Sequence, residues 1–379
     1  MVYHIEELDR IRDVEIATFR RTGKTVFDIS NWNSGKDYHN YIYQYLKLPI
    51  IDDYFNYIYS YEISNDIHCM IREKLDFKGS DKASALFSSS TLSIVNLGNF
   101  LQKKKTKNIC ILQPSYFSVK PCLQTFGLNV HNEELEFIDN KFYVPMDKLI
   151  KKKYDAVWVT SPIFCTNVCL DKSEVHKLNY LLENGIYLIC DESLSTAQNR
   201  LCPNLIPNEY LFCIYSPHKV LGTNALKFSC IVMNQKHQDF FEIWSDLFAG
   251  GMSLSSQVAI NHFLTTNYDI VLQKGLSYIQ QTYIKLKELL YEYRDFCSFI
   301  PESGLYVTIM VKKVPYELST QHHFIKSLIE NTCVSLLPGY LEGFNKKMGF
   351  CFRVNLTLDQ APLLLSVNKI LSYLKKEFS

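Results

Sequence analysis

The sequence predicts an α/β protein. A large domain has a mostly parallel sheet between helices, and a smaller α+β domain is formed by the C-terminus together with an N-terminal segment. Three observations predict this. From about residue 60 to 230, short apolar runs of strand length alternate with stretches of helix length, the pattern of strands buried on both faces and joined by helical crossovers. Two of those runs, GIYLICDES (185–193) and YLFCIYS (210–216), stay apolar until a polar end. In a parallel sheet that end faces the crevice where α/β proteins bind ligands. From about residue 254 the alternation gives way to helices and a few separate strands.

Each element follows from its local pattern. NDIHCMIREKL (65–75) reads as a helix, leading to a strand that ends near Ala85–Ser90. TLSIVNLGNFLQKK is amphipathic at helical spacing, NICILQP (108–114) is a strand, and a helix falls near 118–126. AVWVTSP (156–162) is a strand and 172–183 a helix, followed by the two strands with polar ends. The stretch from SSQVAINHFL to KLKELLYEYRDF is a long helix with a break expected near Gly275, because glycine is a poor helix former. A strand at 304–313, the helix TQHHFIKSLIENT, the strands CVSLLPG and FCFRVNL, and a closing helix complete the chain. The expected divisions are 1–55, a segment packing with the small domain, 56–285, the large domain, and 286–379, the small domain.

Composition narrows the function classes. Lys and Arg number 40 against 39 Asp and Glu, a net charge of +1, without the clustered basic footprint that nucleic-acid binding needs. Apolar residues make up 47% and charged residues 21%, which suits a packed core and excludes general disorder. No apolar run is long enough for a membrane helix. The N-terminal MVYHIEELDRIRD is charged and lacks the apolar centre of a signal peptide, so a cytoplasmic location is expected. The 12 cysteines include no CxxC pair and read as buried thiols of a reducing compartment. Cys165 and Cys169 have no second Cys/His pair at zinc spacing, so no metal is expected.

Three motifs that would have been decisive are missing: G-x-G-x-x-G after a strand, the P-loop, and G-x-S-x-G. What the chain offers is a series of polar residues at strand ends. Ser88-Ser89-Ser90-Thr91 lies between a strand and a helix, where hydroxyls and backbone N–H groups can hold a phosphate or simply cap the helix. Tyr116, in Pro114-Ser115-Tyr116, can stack on a flat ring or cover core. Asp191, in Asp191-Glu192, can hold a heterocyclic N–H⁺ or cap a helix. Lys219, in Ser216-Pro217-His218-Lys219, can be a nucleophilic amine or an exposed lysine. Arg353 follows late in the chain.

The order of these residues resembles that of the fold-type I pyridoxal-phosphate (PLP) enzymes, in particular the class I/II aminotransferases, over nearly the whole chain from about residue 25. The family's lysine segment, S-x-S-K-x-x-G-x-x-G-x-R, is resembled by Ser216 to Lys227, which reads S-P-H-K-V-L-G-T-N-A-L-K, and PESGLYVTIMV (301–311), LLPG (336–339) and FRVNL (352–356) resemble its C-terminal domain. The resemblance implies PLP as cofactor, joined to Lys219 as a Schiff base. It implies that Asp191 pairs with the pyridine nitrogen and that Tyr116 stacks on the ring. Ser89, Ser90, Thr91, Ser216 and Lys227 bind the phosphate, and Arg353 grips a substrate carboxylate. Tyr61, rather than Tyr59, reaches the phosphate of a partner subunit in a homodimer. The implied activity is transfer of an amino group between an amino acid and a 2-keto acid. The alternatives are a PLP-dependent lyase, decarboxylase or cyclase, or a catalytically silent PLP-binding scaffold.

Three positions depart from the family pattern. Its asparagine donor to the ring oxygen falls on Phe164, its tyrosine donor on Leu194, and its phosphate-binding arginine on Lys227. Asn167 or Ser193 could replace a donor. With donors lost, the ring oxygen becomes more basic and holds the neighbouring imine proton more tightly. A lysine in place of arginine loosens the phosphate grip.

Overall fold

The computed structural model describes residues 2–46, 58–77, 81–196, 200–265, 268–299 and 304–378. The chain divides into two compact units, one of Met1–Ile42, Cys165–Asn167 and Lys274–Ser379, the other of Tyr43–Phe164 and Val168–Gln273. The expected boundaries at 55 and 285 therefore compare with observed ones at 42 and 273.

The larger unit is built on a seven-stranded sheet. Its spatial order is Lys82–Phe87, Ser229–Asn234, Leu211–Tyr215, Tyr187–Glu192, Ala156–Thr160, Asn108–Gln113, Asn129–Glu134. All neighbours pair in parallel except Ser229–Asn234, which is antiparallel to the strand on either side. Every residue of Ala156–Thr160 and Leu211–Tyr215 is buried, which explains their unbroken apolar sequence. The helix Ser90–Lys103 covers one face through Leu97, Phe100 and Leu101. The Phe100 ring lies 4.9 Å from Phe212 and 5.2 Å from Phe241. Because Ser229–Asn234 runs against its neighbours, its first residue stands where they end: Ser229 pairs with Phe87, and Cys230 with Tyr215. That reversal gathers Ser229, Ser90 and Ser216 at one edge.

The smaller unit holds a three-stranded antiparallel sheet, Ser298–Phe299, Tyr306–Val311 and Phe350–Asn355. The N-terminal segment joins it through Phe27–Asp28, which pairs in parallel with Val334–Ser335. The expected strand 333–339 is thus only two residues long, and continues into the turn Gly339–Glu342. Gly275 does not break a helix: it lies inside Tyr268–Tyr291, and the preceding helix is Leu254–Thr265. Packing outweighs the roughly 1 kcal/mol cost of an interior glycine. Two of the cysteines expected as thiols, Cys202 and Cys213, are joined in a disulfide. Among the described residues no helix is long and apolar enough to cross a membrane.

Candidate active site

The carboxyl edge of the large sheet carries most of the residues singled out by the sequence. Asp191 is 4% exposed next to the end of its strand, where its carboxylate accepts the Ser193 N–H at 3.1 Å. Burial pushes the Asp191 carboxyl above its ordinary value, while the Ser193 hydrogen bonds pull it back. The adjacent Glu192 has a different task. It accepts the Cys202 N–H at 3.0 Å and Arg200 Nε at 3.1 Å, and so holds Arg200 and the start of the turn Cys202–Asn204.

From Asp191 a string of hydroxyls runs along the edge. Ser193 Oγ lies 3.4 Å from Ser216 Oγ, which is 2.9 Å from Ser90 Oγ and 3.1 Å from Ser229 Oγ; Ser229 Oγ is in turn 2.9 Å from Ser93 Oγ. Ser90 opens the 14-residue helix Ser90–Lys103, and Ser89 is its N-cap, accepting the Leu92 N–H at 3.3 Å. The positive end of that helix dipole therefore faces the cluster. Thr91 is exposed in the same first turn.

Lys219 is half-buried on the short helix Pro217–Leu221, one turn after Ser216, with its own N–H on the Ser216 carbonyl at 3.1 Å. Proline suits the first turn of that helix, and Gly222 ends it at φ 69°, a conformation glycine adopts without strain. The neighbouring His218 is buried. Its Nδ1 is 2.7 Å from the Phe228 carbonyl, which can only accept, so Nδ1 carries the hydrogen. Burial, then the Lys219 ammonium, lower His218 to about 4.

Tyr116 is half-buried, its ring 4.7 Å from Phe117 and 6.1 Å from the buried Phe164. An aromatic side chain thus occupies the position where the family pattern has a donor. Leu194 is half-buried and offers no donor either. Ser193 does offer one, beside Asp191. Asn167 is buried in the smaller unit at φ 56°. Lys227 is exposed, and its carbonyl accepts the Ser256 hydroxyl at 2.9 Å. Tyr61 is 68% exposed and stacks on Tyr59 at 5.5 Å.

Arg353 belongs to the smaller unit and is only 2% exposed there. Its Nη1 donates to Glu342 Oε1 at 2.7 Å and its Nη2 to the Ser30 carbonyl at 2.6 Å. Arg353, expected to meet a substrate carboxylate, is paired in this structure with a carboxylate of the chain itself. Sequence reasoning missed Glu342 because its turn carries no signal of a charged partner eleven residues on. It also missed Ser93 and Ser229, which look like ordinary helix and strand residues. Cys190, Glu192 and Cys202 lie close enough to suggest a metal site. The Cys202–Cys213 disulfide takes one of those sulfurs and Arg200 takes the carboxylate.

No protein-family model and no curated protein matches the sequence. Solved structures do match in fold. The chain is similar to the aspartate aminotransferase of Thermotoga maritima, at 15% identity and TM-score 0.75 with 97% of each chain covered. It is similar to the Pyrococcus horikoshii kynurenine aminotransferase, solved with PMP, at 12% identity and TM-score 0.76, covering 96% of this chain and 94% of that one. It is also similar to a PLP-bound C–S lyase of Staphylococcus hominis, at 15% identity and TM-score 0.69, covering 93% and 88%. The chain therefore has the fold that aminotransferases share with that lyase, fold type I of the PLP enzymes.

Proposed function

We propose that this chain is a PLP-dependent enzyme, an aminotransferase that moves an amino group between an amino compound and a carbonyl compound. One observation carries the proposal: a buried carboxylate, Asp191, and a hydroxyl cluster at a helix N-terminus, Ser90 with Ser216, lie along one sheet edge with Lys219 one turn beyond. The donor set suits PLP. The cluster offers hydroxyl and N–H donors to a phosphate. Asp191, raised by burial, gains most from a cation beside it, which a protonated ring nitrogen supplies.

When bound, PLP supplies an electron sink for the bonds at a substrate carbon. The chain's residues do the rest. Asp191 keeps the proton on the ring nitrogen. Ser89, Ser90, Thr91, Ser216 and Lys227 hold the phosphate, and Tyr116 covers the ring. The Lys219 amine anchors the cofactor and, once released, holds and moves the proton at the substrate carbon. Tyr61 is exposed, as are Ile243 and Leu247 on the helix Gln238–Ala249, whose Asp246 accepts the N–H of Ser60, the residue before Tyr61, at 2.9 Å. A second copy of this chain is the partner proposed for these exposed residues, with Tyr61 serving the partner's phosphate.

Adding PLP to the purified protein tests the proposal. The expected result is a visible absorbance band and, after borohydride, a fixed mass addition on the Lys219 peptide, both lost in Lys219→Ala. A protein that stays colourless and untagged overturns it. A second reading, a lyase, decarboxylase or cyclase reaction, draws support from Phe164 standing where a donor is expected. Formation of pyridoxamine phosphate after mixing with an amino compound decides for transfer.

A further inference from the structure

The surroundings of Arg353 point to a carboxylate site filled by the protein itself, and we infer that the substrate is a primary amine with no carboxylate for Arg353 to grip. The inference rests on the proposed function and on the role that the resemblance implies for Arg353, the arginine a substrate carboxylate would meet. Every group involved lies in the smaller unit.

A guanidinium recognises a carboxylate through two parallel N–H donors in its plane. Here Nη1 donates to Glu342 Oε1 at 2.7 Å and lies 3.7 Å from Cys165 Sγ, and Nη2 donates to the Ser30 carbonyl at 2.6 Å. Two rings also lie beside it: the guanidinium carbon is 4.0 Å from the centre of the Trp32 ring and 5.1 Å from that of Tyr306, and those two centres are themselves 5.3 Å apart. Burial lowers Arg353, but Glu342 together with Cys165 and Tyr306 raises it by more, so Arg353 sits above its ordinary value and the guanidinium keeps its charge. An arriving carboxylate must displace Glu342 or share one cation with it.

Neither course is favourable. Glu342 is 1% exposed, and its Oε2 is enclosed without a hydrogen-bond partner among the described residues. Displacing it leaves a carboxylate shut away from water with its cation lost, and sharing sets two carboxylates side by side at low dielectric. The turn is also held in place. Pro338 bridges to Phe352, and a Cβ added to Gly339 would meet Cys351 Cβ at 2.7 Å, so the turn packs directly on the strand that carries Arg353. Glu342 thus gives Arg353 the negative charge a substrate carboxylate would bring, through the single donor Nη1, while Arg353 Nε is enclosed without a hydrogen-bond partner among the described residues.

The reaction then converts an amine to an aldehyde. The carbon bearing nitrogen loses its C–N bond and one hydrogen and gains a carbonyl oxygen from water, an oxidation by two electrons. The nitrogen and those electrons would go to a carbonyl acceptor, also without a carboxylate at Arg353, PLP supplying the relay when bound. The acceptor releases its oxygen as water and becomes an amine.

The test compares 2-phenylethylamine with phenylalanine, which differ by one carboxylate, through the spectral change at PLP in the loaded wild-type protein. The amine is expected to act at a concentration lower by about tenfold or more. Glu342→Ala is expected to bring the ratio down by at least about tenfold, and Glu342→Gln, which keeps the shape, by less. A second measurement needs no cofactor. Acetate is expected to raise the melting temperature of apo Glu342→Ala, by re-forming the pair, and to leave the apo wild type unchanged. Preference of the wild type for phenylalanine overturns the inference, as does equal stabilisation of both apo proteins by acetate. If no PLP binds at all, the proposed function fails and takes the substrate class with it, while the acetate arm alone still decides whether Glu342 fills a carboxylate site.

Discussion

Asp191 in the larger unit and Arg353 in the smaller are both charged, both on sheet strands and both almost fully enclosed, at 4% and 2% exposure. They differ in what compensates the charge. Asp191 takes its hydrogen bonds from Ser193, a neutral residue, and burial leaves its carboxyl raised. Arg353 meets a carboxylate from its own chain. A buried charge held only by neutral donors leaves room for a ligand's opposite charge. A buried charge already matched belongs to the framework. A place on a sheet strand does not separate the two cases; the identity of the partner does.

The largest expected effect breaks this contrast directly. Arg353→Leu strands Glu342 and is expected to cost about 3–5 kcal/mol in urea unfolding, whereas replacing both residues with apolar ones of similar volume is expected to restore most of the loss. Asp191→Asn in the apo protein is expected to cost little or to stabilise, because it removes a buried charge that lacks an ionic partner. If Arg353→Leu proves as mild as Asp191→Asn, the two charges are not different in kind.

The strands at 108–114, 156–162, 185–193 and 210–216 were legible to within two residues, because full burial on both faces demands unbroken apolar runs. Ser229–Asn234 was not foreseen: SCIVMN shows an apolar strand but nothing in it marks direction. Its reversal is what brings Ser229 to Ser216. Asp191, Lys219 and Ser90 were legible because they end or follow such runs. Glu342 was not, since its pairing with Arg353 depends on a turn whose path is fixed by Gly339 against Cys351. Local pattern reported where each charged group sits along an element, and tertiary packing decided which of them was already matched.

Acid sharpens the comparison, because the two units carry titrating groups of opposite sign. His218 in the larger unit has a folded pKa near 4, below the usual 6.5. The unfolded chain therefore takes up the proton first, and stability falls as pH drops from about 6.5 towards 4, by roughly 3 kcal/mol in full. The stability difference between the wild type and His218→Gln is expected to shrink by about that amount between pH 7 and pH 4. Asp28 in the smaller unit runs the other way. Burial, against the Ser30 N–H bond, raises it from 3.8 to about 6. The folded state then holds the proton first, so its charged form costs stability above about pH 6 and the cost disappears on acidification. Asp28→Asn is expected to gain about 2 kcal/mol over the wild type at pH 7 relative to pH 4. Parallel pH profiles for wild type and variant would remove either group from the account.

The smallest effect separates two tasks of one residue. Ser89 caps the helix Ser90–Lys103 through the Leu92 N–H at 3.3 Å, and it is also among the proposed phosphate ligands. Losing a serine cap costs about 1 kcal/mol. Ser89→Ala is therefore expected to lower apo stability by about that much in urea unfolding. If Ser89 also holds the phosphate, saturating PLP must stabilise the variant less than it stabilises the wild type, so the gap between them widens. If the gap stays the same with and without PLP, Ser89 is a cap alone, and the phosphate rests on Ser90 and Ser216, whose hydroxyls already meet at 2.9 Å.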